Sequence, residues 1–244
     1  MDAFREVVGK VVEAVLKTSR LEAGELSELL LLPREEIERA LEFLSLSGRG
    51  ELDEEDKVEA VLRALELGID GKVLARYLGW REFEKLAAKV FDRIGYETIW
   101  NLVLSAGKKR VQIDLIAYRG NLLLVIDCKH WKIPPPPSAE MRIVEGQERR
   151  LELLKEILES FREQSSTEIY AVPLVLSLYQ PSKKIVNGHL FSSISNLRGL
   201  IEYVESAYFQ VRHVKIPIPG ANRLPDLLRR KPELGKGSFL KSGK

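Results

Sequence analysis

One cysteine in 244 residues leaves this chain without an intramolecular disulfide, which fits a reducing, intracellular (cytoplasmic) compartment. Histidine is almost as scarce. His189 and His213 have no Cys or His partners at metal-ligand spacing, which argues against a zinc site. Long apolar runs are also missing. None approaches the length of a membrane span, and the opening stretch MDAFREVVGKVVEAVL carries acids inside its apolar pattern, unlike a secretory leader. Cysteine and methionine are few while Glu, Lys and Arg are abundant, a composition compatible with a thermophile. What remains is 45% hydrophobic and 30% charged, that of a globular chain with one large or two modest domains. The net charge of +2 conceals an asymmetry. Residues 1–78 hold 11 Lys and Arg against 18 Asp and Glu, a balance of −7, whereas residues 79–244 hold 27 against 18, or +9. The two parts attract different partners.

The stretch that organises the rest runs from Val111 to Trp131, VQIDLIAYRGNLLLVIDCKHW. Two runs rich in Val, Ile and Leu flank Arg119-Gly120-Asn121, and Gly and Asn tolerate the positive φ of a tight turn, so the stretch reads as a β-hairpin. With Gly120-Asn121 as a two-residue turn, paired positions sum to 241 and Asp114 falls opposite Asp127. Directly paired side chains share a face with Cβ atoms about 5 Å apart, and Lys129 lies two residues further on that same face. Two carboxylates opposed in an apolar hairpin repel each other. Lys129 or a metal ion must offset the repulsion.

Asp114 followed by Asp127-Cys128-Lys129 resembles the D…(D/E)-x-K signature of the PD-(D/E)XK nucleases. That is the restriction-endonuclease-like fold, and its Mrr-type and archaeal Holliday-junction-resolvase branches are the most similar. The preceding segment Trp80-Arg81-Glu82-Phe83-Glu84-Lys85-Leu86, running on to Gly95-Tyr96, resembles the helix those branches place before the hairpin. Two departures stand out. Ile113 occupies the position of the family's proline, and Asp127 stands where Glu is commoner. The resemblance implies an α/β core with a mixed central sheet. It further implies Mg²⁺ or Mn²⁺ held by Asp114, Asp127, the Cys128 backbone carbonyl and Glu84 as a third carboxylate. Lys129 would orient or deprotonate the attacking water. Gln147 matches a position where some relatives carry an accessory Gln, although their companion Tyr is Leu151 here.

Before this core, residues 4–17 and Leu21 to Leu46 carry helical apolar stripes, with Pro33 opening one helix and Asp53 capping another. Gly48-Arg49-Gly50-Glu51-Leu52 has the composition of a short wing, and the whole resembles a winged helix-turn-helix domain. Its would-be recognition helix shows Glu35, Glu36, Glu38 and Glu42 against Arg34 and Arg39. Phosphate neutralisation supplies most non-specific DNA affinity, so this unit is expected to bind protein, a second copy or another partner, rather than DNA. After the hairpin, Pro134 to Pro137 reads as a stiff extended connector, Ser138 to Gln164 as an amphipathic helix, Ile169 to Leu178 as a central strand covered on both faces, and Asn196 to Glu205 as a further helix. From Arg223, seven Lys and Arg face two acids in a Gly/Ser-rich end, expected to be disordered. The organisation is therefore 1–78 helical, 79–222 nuclease-like and 223–244 basic tail.

Each candidate has a plainer reading. Lys129 with two rim aspartates would also make a surface salt bridge, but a strand has little reason to oppose two acids unless something binds between them. Glu82 competes with Glu84 for the helix position. Cys128 alternates with Ile126 and Leu124, which makes it a core residue rather than a nucleophile. The functional readings are three: a metal-dependent DNA endonuclease serving restriction or repair, a structure-selective resolvase with the same chemistry, and a regulator whose nuclease domain has degenerated. The intact acid–acid–lysine set argues against the third.

Overall fold

The computed structural model describes residues 2–48, 50–131, 136–161, 166–179, 181–219 and 224–229. Helices α1 (Asp2–Thr18), α2 (Ala23–Leu30), α3 (Arg34–Phe43) and α4 (Glu54–Glu66) follow the apolar stripes, burying Val8, Val11, Val12 and Val15 of α1 against Ile37, Ala40 and Leu41 of α3. Asp53 caps α4 as expected, accepting from the Asp56 backbone N–H at 2.8 Å. The short α5 (Gly71–Ala75) leads into α6 (Trp80–Arg93). No strand forms among the described residues 44–53, so the segment with the composition of a wing makes no β-hairpin there, and Arg49 lies outside the described residues. No helix among the described residues is long and apolar enough to cross a membrane.

The sheet begins with β1 (Glu97–Ala106), β2 (Lys109–Arg119) and β3 (Leu122–Lys129), an antiparallel meander. Arg119 pairs with Leu122 and Leu115 with Ile126, the register in which positions sum to 241. Gly120 takes φ +60°, the positive angle that a two-residue turn demands at its first central position. From β3 the chain crosses over through α7 (Pro137–Glu159) to the parallel strand β4 (Ser166–Ser177). That long strand is shared: its first half pairs antiparallel with β7 (Val214–Pro219) and its second half parallel with β6 (His189–Ser193), whose outer neighbour is β5 (Ile185–Val186). Helix α8 (Leu197–Ala207) intervenes between β6 and β7. Among the described residues the result is an α/β core of seven mixed strands.

Two expectations change. Pro137 is not part of a connector but the first residue of α7, a position where its fixed φ suits the helix and its missing N–H costs nothing; Pro134 and Pro135 lie outside the described residues. The tail does not begin as a disordered segment, because α9 (Leu224–Arg229) buries Leu224, Leu227 and Leu228 against the sheet. Residues 230–244 lie outside the described residues. One apolar cluster joins α6 and one sheet face to the N-terminal helices, and a second joins the other face to α7 and α9.

Candidate active site at the open end of the hairpin

At Asp114 the regular ladder gives way. The β1–β2 register passes from Trp100↔Leu115 to Leu102↔Ile113, leaving Asn101 and Asp114 out, and the β2–β3 ladder stops at Leu115↔Ile126. Asn101 takes φ +53°, a left-handed conformation that Asn tolerates better than most residues. Ile113 and Ile116 fall in one apolar cluster and Leu115 in the other, so strict alternation fails here. The freed Asp114 Oδ2 accepts the Cys128 backbone N–H at 2.9 Å, which ties the middle of β2 to the end of β3 through a side chain.

Asp127 is almost completely buried, at 1% exposure. Its Oδ1 lies 3.0 Å from Lys129 Nζ and 3.1 Å from an Arg150 guanidinium nitrogen. Arg150 also donates from Nε to the Gln112 carbonyl at 2.8 Å. Gln112 in turn donates to Asn101 Oδ1 at 2.9 Å. On the opposite side Glu84 is buried, and both of its oxygens accept indole N–H groups: Oε1 from Trp80, and Oε2 from Trp100 at 3.0 Å. Lys129 Nζ sits 5.9 Å from the Trp80 ring centroid. Glu84, Asp114, Asp127 and Lys129 thus gather at one end of the sheet. Arg150, Asn101 and the two tryptophans were not singled out from the sequence. For Arg150 the signal was present, one helical turn after Gln147 on α7, and only the parallel crossover brings it to Asp127.

The electrostatics are those of a site with too much negative charge. Burial, then the neighbouring Asp127, and to a smaller degree Glu84, push the Asp114 carboxyl up to about 6 against the Cys128 hydrogen bond and Lys129. The Cys128 thiol is fully buried, and burial with the surrounding acids raises it well above its ordinary value, so it is a poor nucleophile.

Residues 75–147 match the family described as restriction endonuclease. Over that span, which holds all four gathered residues, the chain is similar to restriction endonucleases and carries a nuclease-like domain. A crystal structure of a protein of unknown function, AF1548, aligns with 50% of this chain and 54% of that one at 18% identity, with a TM-score of 0.29. The match spans about half the length of that protein. No curated protein matches the sequence.

Restriction-endonuclease-like nucleases typically use divalent ions. Among the described residues no group of three or more His, Cys, Asp or Glu forms a ready cage for one. Mg²⁺ needs only one or two carboxylates and keeps several waters. The two aspartates fit that demand: Asp127 Oδ2 is buried and accepts no hydrogen bond, although Lys129 Nζ is 2.9 Å away, and Asp114 carries uncompensated charge. Glu84, spoken for by two indoles, fits a contact through water better than direct ligation.

The other candidates take different places. Glu82 accepts from the Gly79 N–H at the start of α6 and lies 3.6 Å from Lys57, a capping role. Gln147 is fully buried, and its amide nitrogen bridges the Val125 and Leu174 carbonyls at 3.1 and 3.0 Å, linking β3 to β4 rather than meeting either aspartate. His130 packs edge-on to Phe83 at 6.1 Å.

Proposed function

We propose that this protein is a divalent-metal-dependent endonuclease, similar to the Mrr-type branch, that hydrolyses DNA phosphodiester bonds at the end of the β2–β3 hairpin in restriction or repair. The observation that carries the proposal is the buried, unbalanced pair Asp114 and Asp127 beside Lys129, inside the segment that matches restriction endonucleases. Asp114, Asp127 and the Cys128 carbonyl would hold Mg²⁺ or Mn²⁺, with Glu84 acting through water. When bound, such an ion polarises the phosphate and lowers the pKa of a water molecule. Arg150 fixes Asp127 through Oδ1, and Oδ2 faces Lys129 at 2.9 Å, so an ion would share that oxygen with the lysine. The Cys128 N–H holds Asp114 through Oδ2. Lys129, partly exposed and already positioned by Asp127, donates to the phosphate oxygen that gains charge. A structure-selective resolvase would use the same groups, so the substrate and not the chemistry separates the two readings.

The test incubates the full chain with linear, branched and single-stranded DNA in Mg²⁺, Mn²⁺ or EDTA. Cleavage is expected only with a divalent ion. Asp127→Ala and Lys129→Ala should each abolish it while far-ultraviolet circular dichroism stays that of the wild type. Full cleavage in EDTA, or by both variants, would refute the assignment. Preference for the branched substrate would move the protein to the resolvase reading.

A further inference from the structure

Beside Lys129 lies a second feature that phosphodiester hydrolysis alone does not require. A pocket of ≈ 360 Å³ opens next to the aspartates, lined by Trp80, Lys129, His130, Trp131, Arg142 and Ile143. Trp80 is 55% exposed, although a tryptophan contributes most when its large face is covered. Trp131 also lines the pocket and packs with Ile143 against Val144, Val175 and Phe191, which holds that wall in place. Lys129 and Arg142 supply two cations in the same cavity. Indole faces beside cations are what a single unstacked nucleotide uses: the base stacks on an aromatic ring, and the phosphate meets the charges. A base inside an intact duplex has both faces covered by its neighbours and gains nothing from such walls. The volume lies within the roughly 300–1,000 Å³ of small-ligand sites, enough for a nucleotide.

From this geometry we infer that the Trp80–Trp131 pocket is a subsite for one unpaired base next to the scissile phosphate, so that the substrate class is DNA with an unstacked nucleotide at the cut. The inference rests on the nuclease reading for its place in a reaction, but not for its binding. Because Trp80 also donates to Glu84 and its ring lies 5.9 Å from Lys129 Nζ, a base stacked there sits beside the catalytic lysine.

The test measures binding by the full chain in EDTA, where cleavage plays no part. The probes are a fully paired DNA duplex and the same duplex carrying one unpaired fluorescent adenine analogue. The unpaired probe should bind about tenfold more tightly, and its fluorescence should be quenched as it stacks on indole. Trp131→Leu keeps apolar bulk against Val144 and Phe191 but has no aromatic face. It should bring the affinity ratio of the two probes close to one and relieve the quenching, whereas Trp131→Phe should keep most of the ratio. Equal affinity of the wild type for the two probes, or an unchanged ratio in Trp131→Leu with an unchanged melting temperature, overturns the inference. The nuclease reading is judged separately, by Mg²⁺-dependent cleavage.

Discussion

Asp114 shows how a single residue can report a site that is not complete by itself. A carboxyl near 6 is stabilised in its neutral form, so its sign is opposite to that of a salt-bridged acid. Stability from the protonated group is fully present below the ordinary carboxylate value of 3.8 and is lost as pH rises through about 6. In EDTA the wild type should therefore lose stability between pH 4 and pH 7 relative to Asp114→Asn, by up to roughly 3 kcal/mol. Adding Mg²⁺ at pH 7 should recover part of it in the wild type alone. Thermal unfolding at several pH values checks both, and parallel curves for the two proteins would show that the charge is already balanced. The acid pair and the lysine were legible in the sequence because a hairpin with a Gly-Asn turn has only a few registers. The broken ladder was not, since nothing in Asn101 or Ile113 announces that alternation fails at Asp114. Arg150 stood one helical turn after Gln147, but its meeting with Asp127 was not legible, because a parallel crossover gives no pairing arithmetic to read.

At the level of elements, the acidity of the N-terminal helices takes on another meaning. The sequence alone points to a surface for a protein partner, yet much of the acid on α4 faces α6. Lys85 meets Glu54 at 2.7 Å, Lys89 meets Glu55 and Glu59, and Arg93 meets Glu59 and Glu66 at 3.5 Å. Glu59 is the centre of this seam, with Arg63 at 3.0 Å as well. Burial works to raise its pKa, but hydrogen bonds from Arg63 and Lys89 outweigh burial and hold the carboxyl below its ordinary value. A depressed acid contributes stability above its unfolded value that is lost as pH falls. Glu59→Gln should cost roughly 1 kcal/mol at neutral pH, and less in high salt, where such pairs are screened. A melting temperature equal to the wild type's in low salt would mean the seam is energetically neutral. Composition showed the charge imbalance, but which acids face inward depends on the angle between α4 and α6, and that is fixed by packing. The acids Glu35, Glu36, Glu38 and Glu42 of α3 remain exposed, so a protein-binding role for that helix stays a proposal of its own.

For the molecule as a whole, charge and cohesion separate at different places along the chain. The basic excess that would hold DNA continues past α9, where Arg230, Lys231, Lys236, Lys241 and Lys244 oppose Glu233. Truncation after Arg229 should weaken DNA binding at low salt and flatten its salt dependence, because each phosphate neutralised contributes about 0.9 to the slope. Truncation before Leu224 should in addition lower the melting temperature, since Leu224, Leu227 and Leu228 leave the core. Unaltered affinity and slope in the first variant would show that the tail takes no part in binding.

The residue 78/79 boundary, by contrast, divides sequence patterns but not the core. Val8, Val12, Ile37, Val61, Phe83, Leu86, Leu115 and Leu174 belong to one buried cluster. Ser195 donates to Asp70 at 3.0 Å, and Lys72 lies 5.0 Å from the Tyr179 ring centroid, so the contact continues beyond the α4–α6 seam. Independent domains meet through smaller, more polar interfaces and melt separately. Here α4 packs on the face of α6 that carries Glu82, Lys85, Lys89 and Arg93, while Glu84 on the other side meets Trp100 of β1, so one helix ties the N-terminal helices to the site. The full chain should therefore unfold in one calorimetric transition, with van't Hoff and calorimetric enthalpies equal. A core substitution in α1, such as Val12→Ala, should lower that single midpoint and the temperature at which Mg²⁺-dependent cleavage is lost by the same amount. Two resolved transitions, with cleavage surviving the first, would show that residues 79–229 fold and act without the helices that precede them.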